Sequence, residues 1–470
     1  MNKKTEFLKI LNTKDVLVIA FGAMIGWGWV VSSGQWIQTG GVLGTSIAFA
    51  IGGLMIFFVG LTYAELTTAM PQCGGVHVFC FRAFGPLASF ICTWAIILSY
   101  IGVVCYEAVS FPTIIQYLFP EYLKGYMYSI SGFDVYASWV SIGVVLAIII
   151  MAINIIGTKK AAVFQTILTM IIAGVGIILS VGSVFTGNPL NFSGQLFQTD
   201  SNSIVGSIAK VAVMTPFFFF GFDVIPQVAE EIKVPLKKLG RLMILSIIMA
   251  VGFYTMVVLS VGFVLSANEI ADSMSTTGLV TADAMAKAFS SEMMANVLII
   301  GGLCGIITSW NSFLIGGSRA IYAMAVSYML PPIFGKLHRK RKTPIVAIAL
   351  IGGLSLITPF LGRVMLVWIV DAANFACCLA YCMVSLSFLR LRIKEPDMQR
   401  PYKVKYYRLV GFCAVFMSGL MSLMYIIPNT GSTLNDIEWF IVGIWTLIGV
   451  ICYFWSKISY KEKFASAVYH

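Results

Sequence analysis

The chain has 470 residues, of which 59% are hydrophobic and only 11% are charged. Soluble domains carry about 25% charged residues, so this composition excludes a soluble globular protein and indicates a membrane protein. The net charge of +11 does not indicate nucleic-acid binding, because the basic residues lie in short segments between apolar runs. The ten cysteines show no C-x-x-C spacing and the three histidines lie far apart, so the sequence predicts no metal site, cofactor or disulfide framework.

Apolar runs long enough to cross about 30 Å of hydrocarbon as helices recur along the whole chain. They predict an all-α polytopic membrane protein, with the lipid bilayer as its first partner. The first run is too long for the core of a cleaved signal peptide, so it is interpreted as a span. The sequence predicts about twelve spans, at residues 15–38, 42–69, 85–118, 138–157, 162–185, 207–230, 241–267, 294–328, 343–361, 364–389, 407–427 and 437–457.

The distribution of lysine and arginine predicts the orientation of these spans. With the N-terminus inside, the inner segments hold 26 positive residues, and the outer loops hold only Lys124, Lys287 and Arg363. Because cytoplasmic loops are enriched in positive charge, this asymmetry favours an even number of spans. We therefore expect a multi-pass protein of the cell inner membrane, with a cytoplasmic N-terminal tail at 1–14 and a cytoplasmic C-terminal tail at 458–470.

Two of the predicted spans contain residues that interrupt helices. The first span carries three glycines, Gly22, Gly26 and Gly28, and the sixth carries Pro216 and Gly221. Unwound backbone inside a membrane is tolerated only where it lines a cavity, and breaks five spans apart are typical of an inverted repeat of five plus five helices. Free amides there could bind a carboxylate, and free carbonyls an ammonium group or sodium, as a zwitterionic amino acid requires. The alternative is that the glycines only permit close helix packing.

A series of short motifs follows the same order along the chain as in a known transporter family. The sequence resembles the amino acid–polyamine–organocation (APC) permease superfamily, and within it the cationic amino acid transporter-like branch. The motifs that carry the resemblance are Tyr63-Ala64-Glu65-Leu66, Gly74-Gly75, Phe84-Gly85-Pro86, Gly221-Phe222-Asp223, Ala229-Glu230-Glu231-Ile232-Lys233-Val234-Pro235, Ser318-Arg319 and Arg400-Pro401-Tyr402-Lys403.

The resemblance implies a LeuT-like transport core of five plus five helices, here residues 15–390. Residues 391–457 would then supply a cytosolic loop and two additional helices. It also implies a secondary active transporter or exchanger of amino acids that works by alternating access, and not an enzyme. The sequence carries no P-loop, so ATP-driven transport by this chain alone is not expected.

The resemblance also implies which residues bind the substrate. The backbone of Gly26-Trp27-Gly28 in the first span would bind the substrate carboxylate. The carbonyls at the break in the sixth span would receive its amine, and Phe217 would act as the gate. Trp27 and Phe218 depart from the small residues usual in the family, which favours a smaller or more aromatic pocket. The expected substrate-binding set is Ile25, Gly26, Trp27, Gly28, Glu107, Phe217, Phe218, Phe220 and Gly221.

The coupling ion is left open between three alternatives. Some proton-coupled relatives pair a glutamate in the third span with a lysine in the fifth span. Here Ser99 and Ile172 stand at those positions. Glu107 is a candidate proton site, because an ionisable side chain inside a membrane usually marks a transport pathway. Thr308 and Ser309 are a candidate cation site, since the eighth span, on which they lie, supplies hydroxyls to sodium in sodium-coupled relatives. The remaining alternative is exchange without any ion.

Other functions are compatible with the same sequence. Trp27, Trp29, Phe217 and Phe218 could form an aromatic cage for a small amine or quaternary ammonium compound, such as a polyamine, ethanolamine or a choline-like molecule. A nutrient sensor without transport activity is a further alternative, although long soluble signalling domains are missing. The sequence does not predict a particular oligomeric state.

Overall fold

The computed structural model describes residues 7–198, 203–428, 430 and 433–466. Lys3, Lys4 and the last four residues of the predicted C-terminal tail lie outside these residues. The described chain is a bundle of helices with one small antiparallel hairpin, formed by β1 (Tyr126–Ile130) and β2 (Phe133–Tyr136). This architecture confirms the prediction of an all-α polytopic fold.

The described residues in the first half of the chain form ten α-helices. They are α1 (Thr13–Met24), α2 (Gly28–Val31), α3 (Ser33–Gly40), α4 (Val42–Ala69), α5 (Val76–Phe84), α6 (Pro86–Leu118), α7 (Ala137–Ile156), α8 (Thr158–Thr186), α9 (Ile204–Met214) and α10 (Val224–Gln227).

The second half contains nine helices in its described residues. They are α11 (Leu236–Val264), α12 (Ala267–Thr276), α13 (Val280–Phe289), α14 (Glu292–Val326), α15 (Ile345–Ile357), α16 (Met365–Trp368), α17 (Val370–Lys394), α18 (Tyr407–Met424) and α19 (Asp436–Tyr460).

Ten stretches of the described chain are long and apolar enough to cross a membrane as helices. Two of the twelve predicted spans fall below that length, each for a visible reason. The first span is broken into α1, α2 and α3, and the ninth is the shorter apolar helix that ends at Leu361. The described helices therefore fit the twelve predicted spans, with small differences at their ends.

The first and sixth spans are the interrupted ones, as their glycines and proline predict. The first loses its helical hydrogen bonding between Met24 and Gly28, and the sixth changes from α9 through the 3-10 turn Thr215–Phe219 into the short α10. Proline lacks the N–H that would continue the helix, which explains why the sixth span tightens at Pro216. The two breaks meet in the middle of the bundle.

The segment between α11 and α14 contains two helices that the sequence reading did not predict. Helix α12 begins with a capping box, in which Ser266 and Glu269 satisfy each other's terminal amides. Glu269 also forms an ion pair with Lys287 of α13 at 2.5 Å. Together with the hairpin, these two helices cover the end of the bundle opposite to the chain termini.

Both described ends of the chain lie at the same end of the bundle. Leu11 forms a parallel bridge with Ile232, just after the sixth span, and Phe7 packs edge-on against Tyr322 of α14 at 4.9 Å. The Ala465 amide near the C-terminus donates to the Ser327 carbonyl, directly after α14, at 2.8 Å. An even number of spans explains this arrangement.

Candidate substrate site

A cavity of about 90 Å³ lies between the two helix breaks, in the middle of the bundle. The breaks supply the backbone of its walls, and α6, α11 and α14 supply the remaining side chains. The lining residues are Ala23, Met24, Gly26, Trp27, Gly28, Ser32, Val103, Tyr106, Glu107, Phe217, Phe218, Phe220, Tyr254, Ser309 and Phe313.

The break in the first span leaves backbone donors without partners. In the part of the chain that the structure describes, the amides of Gly26, Trp27 and Gly28 donate no hydrogen bond. Gly28 also packs tightly against an aromatic ring, since a Cβ at this position would lie 2.3 Å from Cε1 of Phe218. Buried amides almost always find an acceptor, so these groups are poised to bind an anionic or carbonyl oxygen.

The break in the sixth span leaves acceptors without partners. Among the described residues, the carbonyls of Phe218, Phe219 and Phe220 accept no hydrogen bond. Gly221 follows with φ of 133°, a conformation that other residues rarely adopt. Its N–H donates to Oδ1 of Asp223 at 2.9 Å. The unwound backbone is therefore fixed in place while three of its carbonyls stay available.

Asp223 holds this break from within the core and does not face the cavity. Its carboxylate accepts hydrogen bonds from the hydroxyl of Tyr100 at 2.5 Å and from the hydroxyl of Tyr381 at 2.8 Å. Asp223 directly precedes α10, but its side chain makes no cap hydrogen bond to that helix. It bonds to Gly221 and the two tyrosines instead, so it ties the sixth span to α6 and α17.

Glu107 places a buried carboxyl group in the cavity wall. It is 3% exposed, and its Oε1 lies 3.3 Å from the position that a Cβ at Gly26 would take. The Ser309 hydroxyl lies on the same side, 3.9 Å from that position. In the described structure Oε2 has no hydrogen-bond partner. An unpaired carboxyl oxygen in a cavity is costly unless a proton or a ligand satisfies it.

Aromatic rings form the rest of the cavity wall. Phe217 is half-buried and packs edge-on against Tyr106 at 6.4 Å and against Phe218 at 5.1 Å. The hydroxyl of Tyr254 donates to the Met24 carbonyl at 2.9 Å and so holds the end of α1 against α11. The side chains around the cavity are therefore mostly apolar, and its polar groups are concentrated on the two breaks and Glu107.

The structure brings together eight of the residues expected at the substrate or ion site: Gly26, Trp27, Gly28, Glu107, Phe217, Phe218, Phe220 and Ser309. Ile25, Gly221 and Thr308 do not line the cavity. Ile25 is fully buried in the core, and a Cβ at Gly221 would lie 2.5 Å from the Cβ of Ala23. The hydroxyl of Thr308 donates to the Gly305 carbonyl of its own helix at 2.9 Å.

Several residues that line the cavity are absent from the set expected from the sequence. Ser32, Tyr254 and Phe313 carry no local signal, because they reach the cavity only through the packing of distant helices. Val103 and Tyr106 could have been found, since Tyr106 and Glu107 stand three and four positions after Val103 on α6 and so border it on one side of the helix.

Ion pairs close the end of the bundle that carries the chain termini. Asp15 at the start of α1 pairs with Lys159 of α8 at 2.8 Å. Arg319 of α14 pairs with Glu231 at 2.9 Å and donates to the Thr158 hydroxyl at 2.8 Å. Glu231 is only 2% exposed, so its ion pair with Arg319 is buried. The first pair joins the start of α1 to α8, and the contacts of Arg319 join α14 to α8 and to the segment after the sixth span.

Comparison with known proteins gives the same picture over the whole chain. A family model described as amino acid permease matches residues 15–467. The branched-chain amino acid permease BcaP of Bacillus subtilis (strain 168) is 27% identical over 452 residues, which cover 94% of this chain and 92% of that protein.

Two further relatives come from the same organism. Its methylthioribose transporter is 24% identical over 471 residues, covering 96% of this chain and 94% of that protein. Its serine/threonine exchanger SteT is 24% identical over 412 residues, covering 86% and 89%. The match to a permease family confirms the expectation of a membrane transporter and not an enzyme. The chain belongs to the amino acid permease family, within the superfamily that its sequence motifs resemble.

Proposed function

We propose that this chain carries small neutral amino acids across the membrane by alternating access, as a secondary transporter or exchanger. The observation that carries the proposal is the cavity between the two helix breaks, which has unpaired amides on one wall and unpaired carbonyls on the other. A zwitterion satisfies both sets at once, because its carboxylate accepts hydrogen bonds and its ammonium group donates them.

The substrate carboxylate would bind at the amides of Gly26, Trp27 and Gly28. These groups precede and begin α2, so the partial positive charge of the open backbone adds to their hydrogen bonds. The ammonium group would bind at the carbonyls of residues 218–220, across the cavity. A helix of four residues contributes little dipole, so the binding rests mainly on the individual hydrogen bonds.

The side chain of the substrate would lie among Val103, Tyr106, Phe217 and Phe313. These residues are apolar or aromatic, and the cavity of about 90 Å³ favours a small side chain over a long basic one. The names of two relatives, a branched-chain amino acid permease and a serine/threonine exchanger, support this class. Phe217 would act as the gate, because its half-buried ring lines the cavity and packs edge-on against Tyr106 of α6.

Glu107 would take up a proton when the substrate binds. A substrate carboxylate at Gly26 comes close to Oε1 of Glu107, and two negative charges about 4 Å apart repel by about 4 kcal/mol at an effective dielectric constant of 20. A proton on Glu107 removes the repulsion and lets it donate a hydrogen bond. One relative is an aspartate–proton symporter of Bacillus subtilis (strain 168), which supports proton coupling as a mode available to related proteins.

The end of the bundle that carries the termini would face the cytoplasm. The count of 26 positive residues against three on the opposite side supports this orientation. The contacts of Asp15 with Lys159 and of Arg319 with Glu231 would then close the cytoplasmic path. Residues 15–390 would form the five-plus-five transport core, and the last two helices, α18 and α19, would lie outside the repeat.

A carrier of amines without a carboxylate is the competing function, and the unpaired amides of the first span disfavour it. The test is counterflow into proteoliposomes loaded with unlabelled solute, with labelled alanine, serine, leucine, glutamate and lysine compared with ethanolamine, putrescine and choline. We expect counterflow of the small neutral amino acids alone. Counterflow of an amine, with none of the amino acids, would overturn the proposal.

A further inference from the structure

A groove of about 560 Å³ lies on the outside of the bundle, between α6, α17 and α19. None of the residues that line it lines the substrate cavity. Its wall is mostly apolar and aromatic, and Ile91 of α6 and Val450 of α19 are 43% and 47% exposed there. The groove therefore opens toward the bilayer and not toward the transport path.

Aromatic contacts between α6 and α19 fix the shape of the groove. Phe90 packs edge-on against Tyr453 at 5.1 Å, and Trp94 stacks on Trp445 at 4.3 Å. The indole N–H of each tryptophan donates to the backbone carbonyl of the other, at 2.8 and 3.0 Å. A Cβ at Gly449 would lie 2.4 Å from Nε1 of Trp94, so glycine permits this close approach. Because both indole N–H groups are satisfied within the protein, the rings offer their apolar surface to a ligand.

The groove has the length of one leaflet. On α19 its lining residues extend from Val442 to Lys457. At a rise of about 1.5 Å per residue, these two positions lie about 22 Å apart along the helix. One leaflet contributes about 15 Å of hydrocarbon, which is half of the bilayer core. At the far end Phe375 of α17 lines the groove and packs against Trp439 of α19 at 6.1 Å. An acyl chain of a single leaflet therefore fits the groove, with its head group near Lys457.

Lys457 places a positive charge at the end of the groove nearest to the chain termini. It lies in the last turn of α19 and is exposed. Among the described residues that line the groove, it is the one with a charged side chain. Its ammonium group forms no ion pair or hydrogen bond with another described residue. A lipid that fills the groove would bring its head group to this charge.

A second cation lies at the same end of the groove. The guanidinium group of Arg390 on α17 lies over the ring of Phe84, 4.9 Å from its centroid. Phe84 stands three positions before Leu87, which lines the groove in the first turn of α6. Arg82, two positions before Phe84, pairs with Glu395 at 2.6 Å, so this pair adds no net charge. The mouth of the groove is therefore positive, and a negatively charged head group complements it.

We propose that this groove binds an anionic phospholipid from the leaflet on the side of the chain termini, with an acyl chain between α6, α17 and α19 and the phosphate at Lys457. A second copy of the chain is a poorer occupant. A two-fold axis along the membrane normal would bring Lys457 and Arg390 of both copies to the same depth, where like charges repel. The proposal does not rest on the proposed transport function, because the groove is separate from the substrate cavity and its test measures lipid binding.

The first arm of the test compares two lipids and two lysines. Protein in an uncharged detergent is stripped of lipid, and the binding of phosphatidylglycerol and of phosphatidylcholine with the same acyl chains is measured by native mass spectrometry. We expect phosphatidylglycerol to bind more tightly, and Lys457→Gln to weaken its binding on the order of fivefold, the equivalent of about 1 kcal/mol.

Lys160→Gln is the matched control for the first arm. Lys160 is also an exposed lysine at the end of the bundle that carries the termini, but it lies at the start of α8 and outside the groove. We expect this variant to bind phosphatidylglycerol as the unmodified protein does. Equal binding of the two lipids by the unmodified protein, or an equal loss in both lysine variants, would overturn the proposal, because attraction to the surface charge as a whole would then explain the binding.

The second arm fills the groove. In Val450→Trp the added indole would occupy the space of the acyl chain, so we expect one fewer phospholipid to stay bound to each protein molecule. The control is Ile451→Trp, because Ile451 is the exposed neighbour of Val450 and does not line the groove. A protein dimer that Val450→Trp abolishes, with no phospholipid bound to the unmodified protein, would show that a second copy fills the groove and would overturn the proposal. If Val450→Trp does not fold, the exposed Lys457→Gln variant still decides it.

Discussion

Replacing Gly28 by alanine tests whether the break in the first span binds the substrate. The added Cβ would lie 2.3 Å from Cε1 and 2.6 Å from Cδ1 of Phe218, so the ring must move. The backbone at Gly28 suits other residues, so the clash alone produces the effect. Overpacking of this kind costs about 1–3 kcal/mol. Because Phe218 lines the cavity, we expect that cost to fall on substrate binding, as a loss of affinity of about 5- to 140-fold.

The clash also predicts its own rescue. Phe218→Ala removes the ring, so Gly28→Ala combined with Phe218→Ala should bind substrate better than the additive effects of the two changes predict. Gly174→Ala on α8 is the matched control, because a Cβ there meets no atom within 4 Å. The assay is equilibrium binding of the labelled amino acid found by counterflow, with melting temperature as the measure of folding. Unchanged affinity in Gly28→Ala, or no recovery in the double variant, would refute the reasoning.

Three further predictions concern the gate, the carboxyl group and the buried histidine. Phe217→Ala should slow exchange more than it weakens equilibrium binding, because the ring covers the cavity; a loss of affinity at normal turnover would argue against a gate. Glu107→Gln should remove uptake driven by a pH gradient while sparing counterflow, and persistence of pH-driven uptake would exclude Glu107 as the proton site. Burial lowers the pKa of the His77 imidazole on α5 from 6.5 to about 3. Below pH 6.5 the buried imidazole therefore stays neutral in the folded protein, while in the unfolded chain it binds a proton. The free energy of unfolding should therefore fall on acidification, by up to about 1.4 kcal/mol per pH unit. In His77→Gln the melting temperature should depend less on pH below 6.5, and an unchanged dependence would contradict this explanation.

The breaks in the first and sixth spans were predictable from sequence because glycine and proline act on the backbone locally. Gly26, Gly28 and Pro216 change the helix wherever they stand, and the length of the apolar runs then gives their depth in the bundle. The same local logic predicted the spans themselves. The helices α12 and α13 were missed because they are short and lack the long apolar runs that mark a span.

The side-chain partners could not be predicted, because they depend on contacts between distant parts of the chain. Asp223 directly precedes α10, a position from which a carboxylate can cap a helix, but it bonds to Tyr100 and Tyr381, which lie 123 and 158 residues away. Gln165 of α8 likewise bonds to Asn311 and to the Ser312 hydroxyl of α14, which lie 146 and 147 residues away. Polar residues inside a membrane signal a role by their cost, but only the packing shows which partner satisfies them.

One competition experiment shows whether the amides of the first span bind a substrate carboxylate. Counterflow of the labelled amino acid is measured with three competitors: the unlabelled amino acid, its decarboxylated amine, and its methyl ester, which keeps the amine but loses the negative charge. We expect the amino acid to compete at least tenfold better than either analogue, a difference of about 1.4 kcal/mol that a charged hydrogen-bonded group readily provides. Equal competition by the decarboxylated amine would contradict it.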